Sequence, residues 1–349
     1  MVTDVRLEAA VRTWRSRFVA NGVYAGEVDA LLARIGRWED WCPAWHGRGR
    51  WYAARAAEAD AAGRRRTGRD AWRQASLLAH FGKYLFLHDR AAYEAAHRDA
   101  VEWYRRAAPR FDPPAVPLAI PFEGEGLAAY LRLPRPGAPV AVLVPGLDSV
   151  KEELHAYSDD LVARGVATLA LDGPGQGESE RRLPLEPAFE RVMAAVVELL
   201  ARLDGVDGRR VAVVGVSVGG YLALRAALVG PPVRAVAALG GFAHYPDEWP
   251  VQPALSRLAF TVRTHSSDEA EAGRRAEAFS LLGVVDRIAC PVLVLEGGRD
   301  GHRNRPGSLS ALGAGRFERL YYPEGGHVCN NVSPLYRPRV ADWVASRLA

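Results

Sequence analysis

Cysteine is scarce in this sequence, and its scarcity bears on both folding and location. Cys42, Cys290 and Cys329 are the only three among 349 residues, and they lie far apart. An odd and dispersed set argues against a disulfide framework and favours a reducing compartment, so we expect a cytoplasmic protein. Apolar runs of the length that a membrane span needs are also missing, and the first residues lack the basic-then-apolar pattern of a signal peptide. We therefore expect no membrane partner.

Lysine is nearly absent as well. Lys83 and Lys151 are the only two, so arginine supplies almost all of the positive charge behind a formal net charge of +4. The one dense basic cluster is Arg64-Arg65-Arg66, which has no interleaved aromatic residues and no nucleic-acid motif. Such a run is typical of a solvated helix end or loop, so we expect no nucleic-acid partner.

Motifs for metals and cofactors are missing too. No group of histidine, cysteine and acidic residues has the spacing of a metal site, and Cys329 near His327 indicates packing rather than a pair of ligands. The glycine-rich stretch 173–177 lacks the Lys-Ser/Thr ending of a phosphate-binding loop, which predicts a tight structural loop instead. We expect neither a metal nor a cofactor.

The first third of the chain shows the spacing of helices. Up to about residue 113, apolar and aromatic residues recur at helical intervals without strand alternation, which predicts four or five helices. Because 349 residues are many for one core, we predict an N-terminal all-helical domain over residues 1–113 and a catalytic domain over 114–349. Trp41 and Trp45 lie in a stretch interrupted by proline and glycine, from which they could reach a substrate cavity.

From residue 115 the pattern becomes that of strands. Two short strands, 116–122 and 127–133, flank a Glu-Gly-Glu-Gly turn and predict a hairpin. Six further strands are predicted at 140–144, 167–171, the run from 211, 235–239, 292–295 and 317–322. Helices are predicted at 152–164, 189–203, 221–228 and about 340–348. This alternation predicts an α/β fold with an eight-stranded, mostly parallel sheet, and with a lid after strand 6 over about residues 242–287.

The most informative motif is Gly-Val-Ser-Val-Gly at residues 215–219, which follows a buried strand and precedes a helix-compatible segment. A strand, a sharp turn and a helix in that order hold the central serine in a strained conformation with its hydroxyl exposed, and the flanking glycines avoid clashes there. We predict Ser217 as a nucleophile. The alternative is an ordinary turn in which Ser217 caps the helix.

A serine nucleophile needs a neighbouring base and a carboxylate that orients the base. Asp300 and His327 each follow a predicted strand in a glycine-rich loop, and the chain order Ser, Asp, His is that of an α/β-hydrolase. His302 is the nearest rival base, and Asp286 and Glu296 are the alternative acids. Each of these residues could also be an ordinary loop residue.

The oxyanion that forms on attack needs two backbone N–H donors. Val218, the residue after the nucleophile, is the first candidate. The second is Leu147, which lies in the loop after the first long parallel strand, where Gly146 allows a close approach of the backbone.

These motifs resemble a known family. Residues 215–219, Asp300 and His327 are similar to the α/β-hydrolase fold over residues 115–349. The block 146–153 (Gly-Leu-Asp-Ser-Val-Lys-Glu-Glu), the stretch 172–179, Gly-Gly-Phe at 240–242 and Gly-His-Val-Cys-Asn at 326–330 resemble one subgroup in particular. That subgroup contains 2,6-dihydroxypseudooxynicotine hydrolase and the polyketide-shortening hydrolases of fungal pigment pathways, and it carries an N-terminal helical domain.

The resemblance implies cleavage of a carbon–carbon bond beside a ketone, with a carbanion leaving group that must be protonated. Asp247 and Glu248, beside Trp249 in the lid, are candidate acids, and the equal alternative is two solvated loop residues. Asp148 and Glu152 are similarly open, because Glu152 would also stabilise a helix start.

We therefore predict a serine-triad hydrolase that cleaves a carbon–carbon or acyl bond of a cyclic ketone or polyketide-derived small molecule, in secondary metabolism or aromatic degradation. Three alternatives stay open. The chain could be a lyase-type tailoring enzyme that eliminates acetate from an acetylated tetronate or polyketide, as some relatives of this architecture look to be. It could also be a carboxylesterase, or a non-catalytic binding protein on the same scaffold.

We expect the substrate cavity between the helical domain, the lid and the strand ends. The aromatic side chains predicted near it suggest a flat or ring-containing substrate. Candidates for contact with this small molecule are Glu248, Asp247, Trp249, Phe242, His244, Tyr221, Trp41 and Trp45. The oligomeric state, a homodimer included, stays open.

Overall fold

The computed structural model describes residues 4–303, 305–312, 315 and 317–349. The chain divides into two compact units, Met1–Val116 and Pro117–Ala349. Among the described residues, no helix has the length and apolar character needed to cross a membrane.

The first unit is helical, in agreement with the predicted four or five helices. Its helices are α1 (Val5–Ala20), α2 (Ala25–Leu32), α3 (Trp41–Ala61), α4 (Arg65–Lys83) and α5 (Arg90–Ala107). Asp4 begins α1 by accepting a hydrogen bond from the N–H of Arg6 at 3.0 Å, and Asp89 begins α5 in the same way. These side chains satisfy N–H groups that have no partner within the helix.

Helix α3 is continuous, although its proline and glycines suggested an interrupted stretch. Pro43 lies in the first turn, where its missing N–H costs no helical hydrogen bond. A Cβ on Gly49 would lie 2.9 Å from the ring of Trp103 and 3.1 Å from the carbonyl of Ala75, so this glycine lets α3 pack closely on α4 and α5. Gly49 therefore allows close packing between helices and does not end α3.

The second unit is built on one eight-stranded sheet, as the hydrophobic pattern predicts. Its strands are β1 (Ala115–Phe122), β2 (Glu125–Arg132), β3 (Ala138–Val144), β4 (Ala167–Leu171), β5 (Val206–Val216), β6 (Val233–Leu239), β7 (Val292–Gly297) and β8 (Glu318–Tyr322). The spatial order is β1-β2-β4-β3-β5-β6-β7-β8. Strand β2 runs antiparallel to β4, and the strands from β4 through β3 to β8 are parallel.

The turn between β1 and β2 contains only two residues. Glu123 and Gly124 have φ values of 49° and 80°, and positive φ at both central residues is typical of the tight turns that suit the twist of a hairpin. The hairpin is therefore shorter at its turn than the four-residue Glu-Gly-Glu-Gly loop that the sequence suggested.

Helices cover the sheet and fix its core. They are α6 (His155–Val162), α7 (Glu190–Arg202), α8 (Val218–Ala226) and α12 (Ser333–Leu348). Alternate strand residues, among them Leu143, Val214 and Leu295, pack with residues of α6 and α12 in one buried cluster. Because side chains alternate along a strand, the residues between them point to the opposite face. The carboxyl ends of the parallel strands are thereby held at one edge of a rigid sheet.

Three predicted helix starts were wrong by several residues. Helix α6 begins at His155 rather than Glu152, and Glu152 is buried in an ion pair with Lys151 at 2.7 Å. Helix α8 begins at Val218, immediately after Ser217. Helix α12 begins at Ser333, since Pro334 occupies the first turn, a position that tolerates proline.

The segment 242–287, predicted as a lid, contains more helix than the predicted loop followed by one helix. It holds α9 (Tyr245–Glu248), α10 (Ala254–Arg263) and α11 (Glu269–Ala276). Asp268 caps α11 by accepting from the N–H of Glu271 at 2.8 Å. We refer to residues 242–287 as the lid segment.

Candidate active site

Ser217 occupies the sharp turn between β5 and α8. Its φ of 58° and ψ of −123° lie in a region that non-glycine residues rarely adopt. A Cβ on Gly215 would lie 1.8 Å from the carbonyl of Gly219, and a Cβ on Gly219 would lie 2.3 Å from the carbonyl of Val144. Glycine is therefore required on both sides of the serine, which explains the Gly-x-Ser-x-Gly spacing.

The three residues predicted as a triad come together at the strand ends. The Ser217 Oγ lies 2.9 Å from His327 Nε2, and His327 Nδ1 lies 2.9 Å from Asp300 Oδ2. With its proton on Nδ1, the imidazole donates to the carboxylate and accepts the proton of the serine hydroxyl. This geometry is the one that a base-activated serine requires.

The charge of Asp300 is stabilised within the site. Burial alone would raise the pKa of this carboxyl, but the charge and hydrogen bond of His327 and the hydrogen bond from the His302 N–H hold the pKa below its usual range. The backbone N–H of His302 donates to Asp300 Oδ1 at 3.0 Å. Asp300 is therefore ionised at neutral pH and can orient an imidazole that gains positive charge.

The loop after β3 runs directly against the nucleophile. A Cβ on Gly146 would lie 3.0 Å from the carbonyl of Val216 and 3.3 Å from Ser217 Cβ, so only a glycine fits without displacement. Leu147 follows in this loop, and Val218 is the first residue of α8, where an N–H has no partner within the helix. Both N–H groups predicted as oxyanion donors are thus on segments adjacent to Ser217.

His302, the rival base, lies beside the triad and links it to the lid segment. Its ring centre is 5.2 Å from that of His327, and its Nδ1 lies 2.9 Å from Glu248 Oε2. Arg305 Nη1 donates to the same Glu248 oxygen at 2.8 Å. Glu248 is 1% exposed, whereas its neighbour Asp247 is exposed. Of the two lid acids, the structure brings only Glu248 to the triad, and it adds Arg305, which had no signal in the sequence.

One grouping of side chains could hold a metal ion. Among the described residues, Asp300, His302 and His327 place one potential ligand atom each within 4.8 Å of one another. The fold creates this grouping from two loops, so spacing along the sequence does not show it. Asp300 and His327 already bind each other, and Arg305 places a cation 3.2 Å from His302 Nδ1, which opposes a second cation there.

The aromatic candidates of the second unit pack against one another. Phe242 stacks on Tyr221 with ring centres 4.8 Å apart, and it contacts Tyr245 at 4.6 Å. Trp249 contacts the ring of Phe260 at 5.4 Å. The Tyr221 hydroxyl donates to the carbonyl of Pro187 at 2.9 Å. These contacts pack rings of the lid segment against one another and against Tyr221 of α8, and the contact of these rings with a substrate stays a prediction.

The remaining candidates are engaged elsewhere. His244 Nδ1 lies 3.0 Å from the hydroxyl of Ser280 within the lid segment. Trp41 and Trp45 are fully buried in the helical unit, where both contact Phe18 and the Trp41 indole N–H donates to the carbonyl of Phe81 at 2.8 Å. Because α3 is continuous here, these two tryptophans belong to the helical core, and the interrupted stretch from which they were expected to reach a substrate is absent.

The alternative acids do not orient His327. Asp286 is exposed. Glu296 is buried and accepts hydrogen bonds from Ser310 Oγ at 2.5 Å and Arg319 Nη1 at 2.6 Å. Asp300 is thus the acid of the triad geometry.

Comparison with known proteins agrees with this architecture. A sequence profile of the family described as Esterase FrsA-like matches residues 16–246, well over half of the chain. A 2,6-dihydropseudooxynicotine hydrolase of Paenarthrobacter nicotinovorans is 29% identical over 353 residues, which cover 99% of this chain and 94% of the relative. The α/β hydrolase pydG of an Acremonium species is 32% identical over 241 residues, which cover 64% of this chain and 56% of the relative.

The fold has a close structural counterpart. The crystal structure of 2,6-dihydroxy-pseudo-oxynicotine hydrolase superimposes with a TM-score of 0.86 at 28% identity, covering 96% of this chain and 95% of the other. The likeness includes the helical region as well as the sheet, and it confirms the α/β-hydrolase fold that the motifs predicted.

Proposed function

This chain belongs to the Esterase FrsA-like family of α/β-hydrolases, and we propose that it is a serine hydrolase of a carbon–carbon or acyl bond in a cyclic ketone or polyketide-derived small molecule. The observation that carries the proposal is the chain of two 2.9 Å contacts from Ser217 through His327 to Asp300. The 29% identical relative, a 2,6-dihydropseudooxynicotine hydrolase, supports the substrate class.

The first half-reaction forms an acyl-enzyme. His327 Nε2 takes the hydroxyl proton as Ser217 Oγ attacks the ketone or ester carbonyl, and the imidazolium is stabilised by ionised Asp300. The N–H groups of Leu147 and Val218 donate to the oxyanion. Collapse of the tetrahedral intermediate breaks the bond to the leaving group, which departs with the bonding electrons as an enolate, ring carbanion or alkoxide, and the proton on His327 is transferred to it.

We propose that Glu248 binds the leaving group. Its Oε2 is held by His302 and Arg305, while its buried Oε1 accepts no hydrogen bond from any residue that the structure describes. A hydroxyl or N–H of the substrate would satisfy that oxygen and orient the ring for protonation. In the second half-reaction, His327 removes a proton from water, the hydroxide attacks the acyl carbonyl, and Ser217 is released with the acid product.

The mechanism is tested first with Ser217→Ala. A fluorophosphonate probe should add its mass to the wild-type protein but not to the variant, and turnover of an activated ester should fall by at least about 10³-fold. Ser346→Ala, at an exposed position of α12, is the matched control and should retain both labelling and turnover. Undiminished turnover in a folded Ser217→Ala variant, shown by circular dichroism, would overturn the proposal.

The reaction class is tested in heavy-oxygen water. Hydrolysis of a β-diketone or acyl-aromatic ketone should place one heavy oxygen in the carboxylic acid product, as seen by mass spectrometry. A carboxylate released without label would show elimination instead of hydrolysis. Turnover of esters alone, with no ketone cleaved in the panel, would restrict the activity to that of a carboxylesterase.

A further inference from the structure

The glycine-rich stretch 173–177 carries a buried glutamine that acts on the loop beside Ser217. Gln176 is 0% exposed. Its Nε2 donates to the carbonyl of Pro145 at 2.7 Å and to the carbonyl of Gly146 at 3.1 Å. Its Oε1 accepts from the N–H of Gly173 at 3.1 Å, so both ends of the side-chain amide are engaged.

The bond to Gly146 fixes the orientation of one particular peptide group. The carbonyl of Gly146 and the N–H of Leu147 belong to the same planar, trans peptide unit, in which they point in opposite directions. Holding the carbonyl toward Gln176 therefore turns the Leu147 N–H away from Gln176. Gly146 itself lies against Ser217, with its Cβ position 3.3 Å from Ser217 Cβ.

The surrounding residues are adapted to hold Gln176 in place. A Cβ on Gly173 would lie 2.9 Å from Gln176 Oε1, so a side chain there would displace the glutamine. Asp172, 0% exposed, accepts from both the backbone N–H and the Nζ of Lys151 at 2.8 Å. These two bonds to Lys151 tie the loop after β4 to the loop after β3 at a second point, and within its own loop Asp172 also accepts from the N–H of Glu178 at 3.1 Å.

A second side chain holds the next carbonyl of the same loop. Arg263, at the end of α10, donates through Nε to the carbonyl of Leu147 at 3.3 Å. Its Nη1 forms a buried ion pair with Glu180, and its own carbonyl accepts from the N–H of Leu185 at 2.7 Å. The carbonyls of three consecutive residues, 145 to 147, are thus each held by a side-chain donor.

We propose that Gln176 is a positioning residue for the oxyanion site: by holding the Gly146 carbonyl, it directs the Leu147 N–H toward the oxyanion, and Arg263 extends this hold to the lid segment. The inference rests on the proposed serine-hydrolase function. The Gly-Pro-Gly-Gln-Gly stretch at 173–177 would then orient an oxyanion donor in addition to forming a tight turn. A donor fixed before the reaction needs no reorganisation when negative charge develops.

Gln176→Glu is the sharpest test, because it keeps the shape and the acceptor for Gly173, while its carboxyl repels both carbonyls when ionised and donates to only one of them when protonated. For an activated ester, we expect kcat to fall about 10²-fold, the loss expected when one oxyanion donor is misdirected, with KM changed by less than about twofold. The affinity for a trifluoromethyl ketone, which forms a tetrahedral adduct with Ser217, should fall by a similar factor.

Gln74→Glu is the matched control. Gln74 is also buried and donates to a backbone carbonyl, that of Gly22, but it lies in the helical unit. This variant should lose a comparable amount of thermal stability while keeping kcat within about twofold. Arg263→Lys is the second variant, since it keeps a charge for Glu180 but removes the Nε donor. It should lower kcat without changing KM, and it serves if Gln176→Glu fails to fold.

Three outcomes would overturn the inference: a folded Gln176→Glu protein with wild-type kcat, a change confined to KM, or an equal loss of kcat in Gln74→Glu. If Gln176→Glu does not fold, an unchanged kcat in Arg263→Lys would also overturn it. Failure of the proposed function looks different, because the wild-type protein itself would then show no labelling at Ser217 and no ester turnover.

Discussion

At the scale of single residues, Ser217 combines a strained backbone with a hydroxyl that lies 2.9 Å from His327 Nε2. A non-glycine residue in its conformation costs about 1–3 kcal/mol. The conformation is held by flanking hydrogen bonds: the Ser217 N–H donates to the carbonyl of Leu239 at 2.9 Å, and its carbonyl accepts from the N–H of Gly220 at 2.7 Å. The sheet on one side and the helix on the other therefore hold the strained conformation of Ser217. They thereby fix its Oγ toward His327.

Asp300→Asn tests the orienting role of the carboxylate. An amide N–H₂ turned toward Nδ1 would favour the imidazole tautomer with its proton on Nε2, which cannot accept from Ser217. We expect kcat for an activated ester to fall about 10⁴-fold with a small change in KM. Because the pKa of Asp300 is held below its usual range, the wild-type enzyme should show no loss of activity from this group between pH 5 and 7.

The matched control is Asp286→Asn, which changes an exposed aspartate of the same unit and should leave kcat unaltered. A pH–rate profile of each protein provides the measurement. Activity of Asp300→Asn within tenfold of the wild type would contradict the assignment of the acid.

At the scale of elements, strands were easier to predict than helix starts. Continuous apolar runs predicted seven of the strands to within about two residues, whereas β5 begins at Val206, five residues before the predicted run from 211. The start of α8 was predicted three residues late, because Gly219 and Gly220 have low helix propensity. Packing overrides that propensity, since a Cβ on Gly220 would lie 2.1 Å from the carbonyl of Gly240.

The same contrast holds for the candidate site. Ser217, Asp300 and His327 were predictable because each follows a strand and parallel strands end at one edge. The contact between Glu248 and His302 joins residues 54 positions apart, and it depends on how the lid segment folds back. Gln176 gave no chemical signal either, since an amide has no motif of its own. Residues whose role depends on contacts between loops could not be predicted from local pattern.

Gly219→Ala tests the packing at the elbow. Its Cβ would lie 2.3 Å from the carbonyl of Val144 and 2.6 Å from that of Pro145, and neither backbone group can move without disturbing β3. We expect a loss of at least about 3 kcal/mol in the free energy of unfolding, or no soluble protein. Gly26→Ala in α2, where no atom lies within 4 Å of the added Cβ, should be neutral or stabilising by up to about 1 kcal/mol. Equal urea midpoints for the two variants would refute this account of the motif.

At the scale of the whole molecule, charge is organised around arginine. Arg48 contacts Glu27 at 2.6 Å and 2.7 Å through two nitrogens, and Arg110 contacts Asp60 in the same bidentate manner at 2.6 Å and 3.0 Å. Both lysines, in contrast, are almost fully buried. Lysine is thus absent from the surface pairs, where the planar guanidinium suits two-point contacts with carboxylates. Composition showed the scarcity of lysine but not where the two lysines lie.

The arginine pairs predict how the fold responds to acid. The hydrogen bond from Arg110 lowers the pKa of Asp60 below its ordinary value of 3.8, against the opposing effect of burial. A carboxyl with a lowered folded-state pKa contributes stability that is fully present above about pH 4 and is lost as the pH falls through the folded-state pKa. Removing this pair should therefore lower the free energy of unfolding at neutral pH and leave it unchanged in strong acid.

Asp60→Asn measures this contribution. The amide oxygen can still accept from the Trp72 indole N–H, which Asp60 binds at 2.8 Å, whereas the amide nitrogen cannot accept from Arg110, so the substitution removes the ion pair and keeps the bond to Trp72. We expect a melting temperature a few degrees below that of the wild type at pH 7, with the gap closing as the pH falls below about 4 and through the lowered folded-state pKa of Asp60. Asp204→Asn, at an exposed position, should melt with the wild type throughout. Circular dichroism melts across this range give the measurement, and a gap that stays constant with pH would show that Asp60 stabilises the fold through its shape and not through its charge.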